Sequence, residues 1–239
     1  MNDSDARPVA LLLMGDAPPF VKEQCGNYDE MFYANAGIGK METVRINVRA
    51  GEEIGDPDEY SGAVLTGSPD MVTDKLPWSE YAAGWLREAF AAGLPLFGVC
   101  YGHQLMAHAF GGKVGYNRNG LTGGTQTVEL TADGKKDPLA GELPERFDAH
   151  LIHSQSVLEL PDGAVVLARA EHDPHQMLRY GEKAVSVQFH PEFDEKVMKV
   201  YLDFFAHELP KRAERFAELR GLVRPTLEAS ALIPRFLLE

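Results

Sequence analysis

Cysteine is scarce in this chain: Cys25 and Cys100 are the two among 239 residues. Two cysteines make no disulfide framework, and neither stands in a C-x-x-C pair, which points to a reducing compartment. Long apolar runs are missing as well. The first, from Val9 to Met14, has six residues, too few for a signal-peptide core or a membrane span, and Met1 to Asp5 ahead of it is polar and acidic. A cytoplasmic protein without membrane partners is expected. Positive charge is in short supply: 23 Lys and Arg face 36 Asp and Glu, a net charge of −13. Polyanion binders show the opposite balance, so nucleic acid and anionic membrane surfaces are disfavoured as partners. No internal repeat, low-complexity stretch, interdomain linker or P-loop-type glycine motif is present.

The remaining composition, 44% hydrophobic and 25% charged, is that of a globular chain. Its length suits one decorated α/β domain. Short apolar runs alternate with longer amphipathic ones. Strands are predicted at Val9 to Leu13, Thr43 to Val48, Gly62 to Thr66 and Leu94 to Val99. Helices are predicted at Tyr28 to Ala36, Ser79 to Ala92 (Ser79 as cap, Gly93 as stop) and His103 to Phe110. The segment after the first strand reads as a Pro/Gly-rich loop. This spacing implies a mostly parallel open sheet with helices on both faces. The second half shifts to short strands, several antiparallel, at Thr125 to Leu130, Ala149 to His153, Ala164 to Ala170, His175 to Arg179 and Ala184 to Phe189. A helix capped by Asp194 follows. From Leu209 a helical tail interrupted by Pro225 and Pro234 carries six basic against four acidic residues, net +2, leaving −15 on the body. The expected division is 1–208 for the domain and 209–239 for a C-terminal extension, with tail packing on body the simplest arrangement.

Chemistry concentrates at Gly98-Val99-Cys100-Tyr101-Gly102-His103-Gln104. A strand runs into Cys100 and a helix starts almost at once, with glycine at i−2 and i+2: the cysteine form of the nucleophile elbow. Such a turn lifts the thiol off the sheet edge. It also sets the thiol at a helix N-terminus, which favours thiolate, while the Tyr101 amide faces an oxyanion. On the glycines alone a buried structural thiol competes evenly. The second constellation is His190-Pro191-Glu192. In extended chain, i and i+2 point the same way, so Glu192 can orient the His190 imidazole. By itself a surface turn would be the better reading; beside an elbow cysteine the catalytic one wins. Because the histidine precedes its acid and nearly adjoins it, the order differs from the α/β-hydrolases.

Gly98 to Leu105, then Gly111-Gly112, then His190-Pro191-Glu192, resemble the class I (triad) glutamine amidotransferase family over roughly residues 7 to 207. The resemblance implies a flavodoxin-like sheet of that family with a smaller antiparallel region. It implies that Cys100 attacks the γ-carboxamide of glutamine or of a γ-glutamyl amide, forming a γ-glutamyl thioester. His190 would relay the proton and Glu192 orient it. Gln104 matches a position near the glutamyl group, and His153-Ser154-Gln155 a segment that contacts the α-amino and carboxylate end. Thr66-Gly67-Ser68-Pro69 matches an oxyanion-hole loop that often reads Gly-Gly-Pro. The serine at 68 resembles stand-alone γ-glutamyl peptidases, while other motifs resemble GMP synthase glutaminase domains. A backbone donor survives such a substitution. No cofactor is implied, and the partner is a glutamine-like or γ-glutamyl small molecule.

Three functions compete: a glutaminase serving a separate synthase subunit, a γ-glutamyl peptidase or hydrolase acting without one, and a non-catalytic regulatory relative. Other features take bland readings. His150-x-x-His153 and His172-x-x-His175 place their rings on opposite strand faces, with no third ligand, so no metal site is expected. Cys25 is a bystander in a loop, Trp78 and Trp85 mark a core-facing helix side, His103 is structural, and the acidic run from Glu52 to Glu59 is a solvated face.

Overall fold

The computed structural model describes residues 7–118 and 120–238. The acidic Met1 to Asp5 stretch and Glu239 of the tail lie outside the described residues. Strands are β1 (Val9–Leu12), β2 (Thr43–Ile46), β3 (Gly62–Leu65), β4 (Leu96–Val99), β5 (Lys113–Tyr116), β6 (Thr122–Leu130), β7 (Arg146–His153), β8 (Gln155–Glu159), β9 (Val165–Ala170), β10 (Asp173–Arg179) and β11 (Ala184–Val187). Helices are α1 (Pro19–Cys25), α2 (Tyr28–Asn35), α3 (Pro77–Ala91), α4 (Tyr101–Ala109), α5 (Glu195–Glu208), α6 (Ala213–Gly221), α7 (Leu227–Ser230) and α8 (Leu232–Leu238).

Among the described residues, nine strands form one open sheet in the order β2-β1-β3-β4-β11-β10-β9-β6-β7, and β5 pairs with β8 apart from it. The first five strands of that order are mutually parallel; the remainder are antiparallel. This is the mixed α/β sheet expected from the sequence. Strands β1, β3, β4 and β11 are buried along their whole length, as parallel strands covered on both faces must be. Their period-two alternation divides the core. Val9, Leu11, Val64, Phe97 and Val99 join Phe32 of α2 on one face. Ala10, Leu12, Ala63, Leu65 and Leu96 join Trp85 and Leu86 of α3 and Leu105 of α4 on the other. A third cluster lies between α1, α5 and α6, through Val21, Met198, Leu202 and Phe216.

Several local expectations are corrected. The presumed loop after β1 contains α1, whose Pro19 stands at the first helical position. There proline loses no hydrogen bond and its fixed φ suits the helix, so Pro18-Pro19 marks a helix start. Cys25 is the last residue of α1, not a loop residue. Helix α3 likewise begins at Pro77, so Ser79 is no cap; its hydroxyl lies 2.7 Å from the Tyr101 hydroxyl, in the interior. Strands β5 and β8 escaped the sequence pattern because β5 is short and half exposed. Asp194 does cap α5, accepting from the Val197 amide at 2.8 Å.

The segment from Leu209 packs against the body. Arg224 makes a two-pronged contact with Asp148, and Arg220 reaches Asp203 at 2.7 Å. Leu232, Ile233 and Phe236 enter the same core cluster as β1 and β4, and the Phe236 ring sits 5.4 Å from that of Phe97. Helices α7 and α8 thus cover, with α2, one face of the parallel sheet. Phe236→Ala is expected to cost about 3–5 kcal/mol, measured as a lower urea midpoint. Ending the chain at Glu208 is expected to destabilise it further; unchanged midpoints would show that α8 is peripheral to the core.

Candidate active site

One residue, Cys100, separates β4 from α4, and its backbone is bent to φ 49°, ψ −96°. An L-residue adopts positive φ only where its surroundings over-determine it. Here the surroundings are two close approaches. A Cβ on Gly98 would stand 2.7 Å from Gly102 carbonyl carbon and oxygen, and one on Gly102 would stand 2.7 Å from Leu65 Cβ and 2.8 Å from the Leu65 carbonyl oxygen. Glycine at both positions lets α4 rest directly on the strand ends. The Gly102 amide donates to the Thr66 carbonyl at 3.2 Å, tying the elbow to the loop after β3. Tyr101 is the first residue of α4, where amides lack intrahelical acceptors. Its N–H therefore suits an incoming oxyanion.

His190 follows β11, two residues beyond Gln188, and is 1% exposed, while Glu192 is fully buried. Glu192 Oε1 lies 2.8 Å from His190 Nδ1. The other carboxylate oxygen has no hydrogen-bond partner among the described residues, and neither has His190 Nε2. The carboxylate is thus committed to the imidazole on one side, leaving Nε2 available on the other. The ring is held flat against Phe193, with centroids 4.1 Å apart and planes at 11°, and Phe193 stacks in turn on Tyr201. The His190 amide donates to the His150 carbonyl at 2.8 Å. Burial opposes the charge on His190, but Glu192 and Cys100 beside it outweigh that and push its pKa up to about 10.

The loop after β3 closes over this pair. A Cβ on Gly67 would meet His190 Cε1 at 3.2 Å and Cys100 Cβ at 3.8 Å, so the loop backbone lies against both side chains. The Ser68 hydroxyl turns away to accept from the Asp70 amide at 3.1 Å. Its side chain is spent on the turn, and the backbone remains the part of Ser68 that can serve the site.

Cys100 opens into a cavity of about 880 Å³. Of the residues predicted for the site, Ser68, Tyr101, Gln104, His153, Ser154, Gln155 and His190 also line it; Gly67 and Glu192 stand behind that lining. The Gln104 amide donates to the Gln155 carbonyl at 2.7 Å and to Gln188 Oε1 at 3.0 Å, coupling α4 to β8. Gln155 Nε2 donates to the Thr73 hydroxyl at 2.6 Å. Sequence reasoning missed Arg49, Asp70 and Tyr28, and the aromatic side chains of α5, which line the same cavity. Arg49 Nε donates to Asp70 at 2.6 Å. No local motif marks these residues; they come from four separate segments brought together by the fold.

Three other histidines, His103, His150 and His153, are buried and have lowered pKa values. His103 Nδ1 lies 2.7 Å from the Ser186 hydroxyl, and burial lowers its pKa to about 3. Burial, and then the charge of nearby His190, lowers His150 to about 4. His153 is lowered chiefly by burial too, with Nδ1 beside the Gln155 carbonyl at 2.9 Å. Among the described residues, no group of three or more His, Cys, Asp or Glu side chains is arranged to hold a metal ion, and no helix is long and apolar enough to cross a membrane.

A family model described as glutamine amidotransferase class-I matches residues 33–208. The chain is 26% identical over 204 residues to gamma-glutamyl peptidase 5 of Arabidopsis thaliana, covering 84% of this chain and 81% of that protein. It is 36% identical over 131 residues to the GMP synthase [glutamine-hydrolyzing] of Thermomicrobium roseum, covering 55% of this chain and 23% of that protein. In fold it is similar to the crystal structure of a glutamine amidotransferase from Thermotoga maritima, with a TM-score of 0.76, 24% identity and 98% coverage of both chains.

The neutral histidines carry a pH dependence of stability. His103 and His150 have folded values of about 3 and about 4, below the ordinary 6.5. Their contribution is fully present above pH 6.5 and is lost as pH falls through the folded values, at up to about 1.4 kcal/mol per pH unit for each. His190, being raised, contributes fully below pH 6.5 and adds no slope in this window. Folding stability is therefore expected to drop on the order of 4 kcal/mol between pH 6.5 and 4.5, read from urea unfolding. The slope should be shallower in His150→Asn; an unchanged slope would count against a neutral His150.

Proposed function

Because the chain belongs to the class-I glutamine amidotransferase family, we propose that it hydrolyses the γ-amide of glutamine or of a γ-glutamyl amide through Cys100, His190 and Glu192. What supports this is that the elbow Cys100 and His190 line one substrate-sized cavity, lie against the same Gly67 backbone, and Glu192 stands 2.8 Å behind the imidazole.

Cys100 Sγ attacks the γ-carbonyl carbon, a C–S bond forms, and the carbonyl oxygen becomes an oxyanion near the amides of Tyr101 and the Gly67-Ser68 loop. The C–N bond breaks as the His190 Nε2 proton passes to the departing nitrogen, releasing ammonia or an amine and leaving a γ-glutamyl thioester. Water then attacks the thioester carbon and gives its proton to His190, and glutamate leaves as the C–S bond breaks. Glu192 holds the imidazole in one tautomer and stabilises the imidazolium. Gln104, Ser154 and Gln155 face the cavity where the glutamyl head would lie, and His153 supports the Gln155 backbone.

Similarity to gamma-glutamyl peptidase 5 along most of both chains favours hydrolysis without a synthase. Similarity to GMP synthase over a shorter stretch is what favours the alternative, a glutaminase delivering ammonia to a separate synthase.

Cys100→Ser is expected to lower glutamate release from glutamine and γ-glutamyl dipeptides at least about a thousandfold; undiminished release removes the mechanism. Glutaminase activity that appears only with a second protein would favour the synthase-coupled alternative. The pH profile gives an independent check. kcat/KM is expected to fall in alkali, as His190 loses the proton it gives to the leaving group, with that limb near pH 10. Glu192→Gln removes the carboxylate that holds that proton. Its alkaline limb should therefore move to lower pH, alongside a loss of about a hundredfold in kcat.

A further inference from the structure

The cavity is larger than the chemistry at its floor requires. Sites of about 300–1,000 Å³ accommodate drug-sized ligands, and at about 880 Å³ this one would hold glutamine with much of its volume unfilled. Its lining is mixed: Gln104, Ser154, Gln155 and the Arg49–Asp70 pair are polar. Next to His190 the lining is aromatic. Phe193 stacks on His190, Tyr201 stacks on Phe193, and Tyr201, Phe204 and Phe205 of α5 all face the cavity.

The chemistry says which part of a substrate meets the aromatic side. His190 must hand its proton to the departing nitrogen, so that nitrogen lies on the His190 side and whatever it carries extends along α5. The wall there is preformed. Phe205 packs on Phe216 of α6 at 6.0 Å, Arg212 lies over the Phe216 ring at 5.4 Å, and the same arginine donates to the Leu121 carbonyl at 3.2 Å. Phe204 continues outward to Phe20, 6.2 Å away and 43% exposed, so an apolar strip runs from the site to its rim. Charge at that rim is unhelpful to an anion. Lys22 is paired with Asp16 at 3.7 Å, and Glu23 lines the same edge.

Resting on the hydrolytic reading above, we infer that the Tyr201–Phe204–Phe205 wall is a leaving-group subsite for an uncharged amine bearing an aromatic or bulky apolar group. The preferred substrate is then a γ-glutamyl amide of such an amine, ahead of glutamine and of γ-glutamyl amino acids, whose leaving group keeps a carboxylate. The subsite acts by desolvating the apolar group and by aiming the nitrogen at His190 Nε2.

The test uses the full chain and three compounds: γ-glutamylphenethylamide, γ-glutamylphenylalanine, which adds a carboxylate, and glutamine. The amide is expected to exceed glutamine in kcat/KM by about tenfold or more and to exceed the dipeptide. In Phe204→Ala the amide-to-glutamine ratio should fall about fivefold, and Phe204→Leu should restore most of it. Glutamine turned over as well as the amide, or a ratio unmoved by Phe204→Ala, overturns the subsite while leaving the hydrolytic reading intact. Calorimetry on Cys100→Ala protein separates the two claims in the other direction. Tighter binding of the amide than of glutamine, in a chain whose wild type hydrolyses neither, supports the subsite and sinks the hydrolysis. Equal binding overturns the subsite.

Discussion

Cys100 is held at φ 49° between β4 and α4 because two glycines let backbone pack on backbone around it. The rest of the site is arranged about that bend. Without the Gly102–Leu65 contact, α4 would stand off the sheet, and neither its N-terminus nor Gln104 would face the cavity. Gly67 approaches from the neighbouring strand, where a Cβ would press on His190 Cε1 at 3.2 Å and meet Cys100 Cβ at ordinary contact distance, 3.8 Å. The strained turn is maintained by a core that is buried on both faces of the sheet and has little freedom to relax.

The second constraint is electrostatic. A buried carboxylate with one unpartnered oxygen is costly unless a positive charge accompanies it. Glu192 has His190, and His190 is raised by Glu192 and by Cys100. His190 is thus held charged in a place where burial alone would drive it neutral. The nearby histidines show the contrast: His103 and His150, buried without such partners, are held neutral. One desolvated environment keeps one imidazole charged and its neighbours uncharged, and the difference is the carboxylate two residues along the chain.

The tail links stability to the site. Its last helices complete the core beneath the parallel strands, and its first, α6, backs the aromatic wall of the cavity through Phe216. Residues outside the candidate site therefore shape the cavity that Cys100 and His190 line. The net +2 of the tail against an acidic body is expressed in particular contacts, Arg224 with Asp148 and Arg220 with Asp203.

Local rules in the sequence determined the elements that depend on near neighbours. The parallel core strands announce themselves as short apolar runs. The elbow shows as two glycines about a cysteine, and His190 and Glu192 as a pair two residues apart, because each is a matter of a few consecutive residues; the pair meets through a turn at Pro191-Glu192, not through the extended chain expected. Where one local signal had two meanings, the reading failed: Pro18-Pro19 looked like loop but begins α1, and Ser79 looked like a cap but lies within α3. Strand β5 had too little burial to leave a pattern. What only the tertiary structure decided is the rest of the cavity lining. Tyr28, Arg49, Leu121 and the α5 aromatics are distant in sequence and unremarkable in place. They line one cavity, whose aromatic part is set where α1, α5 and α6 share a hydrophobic cluster. A segment's pattern records which side of it is buried; it does not record which other segment it is buried against.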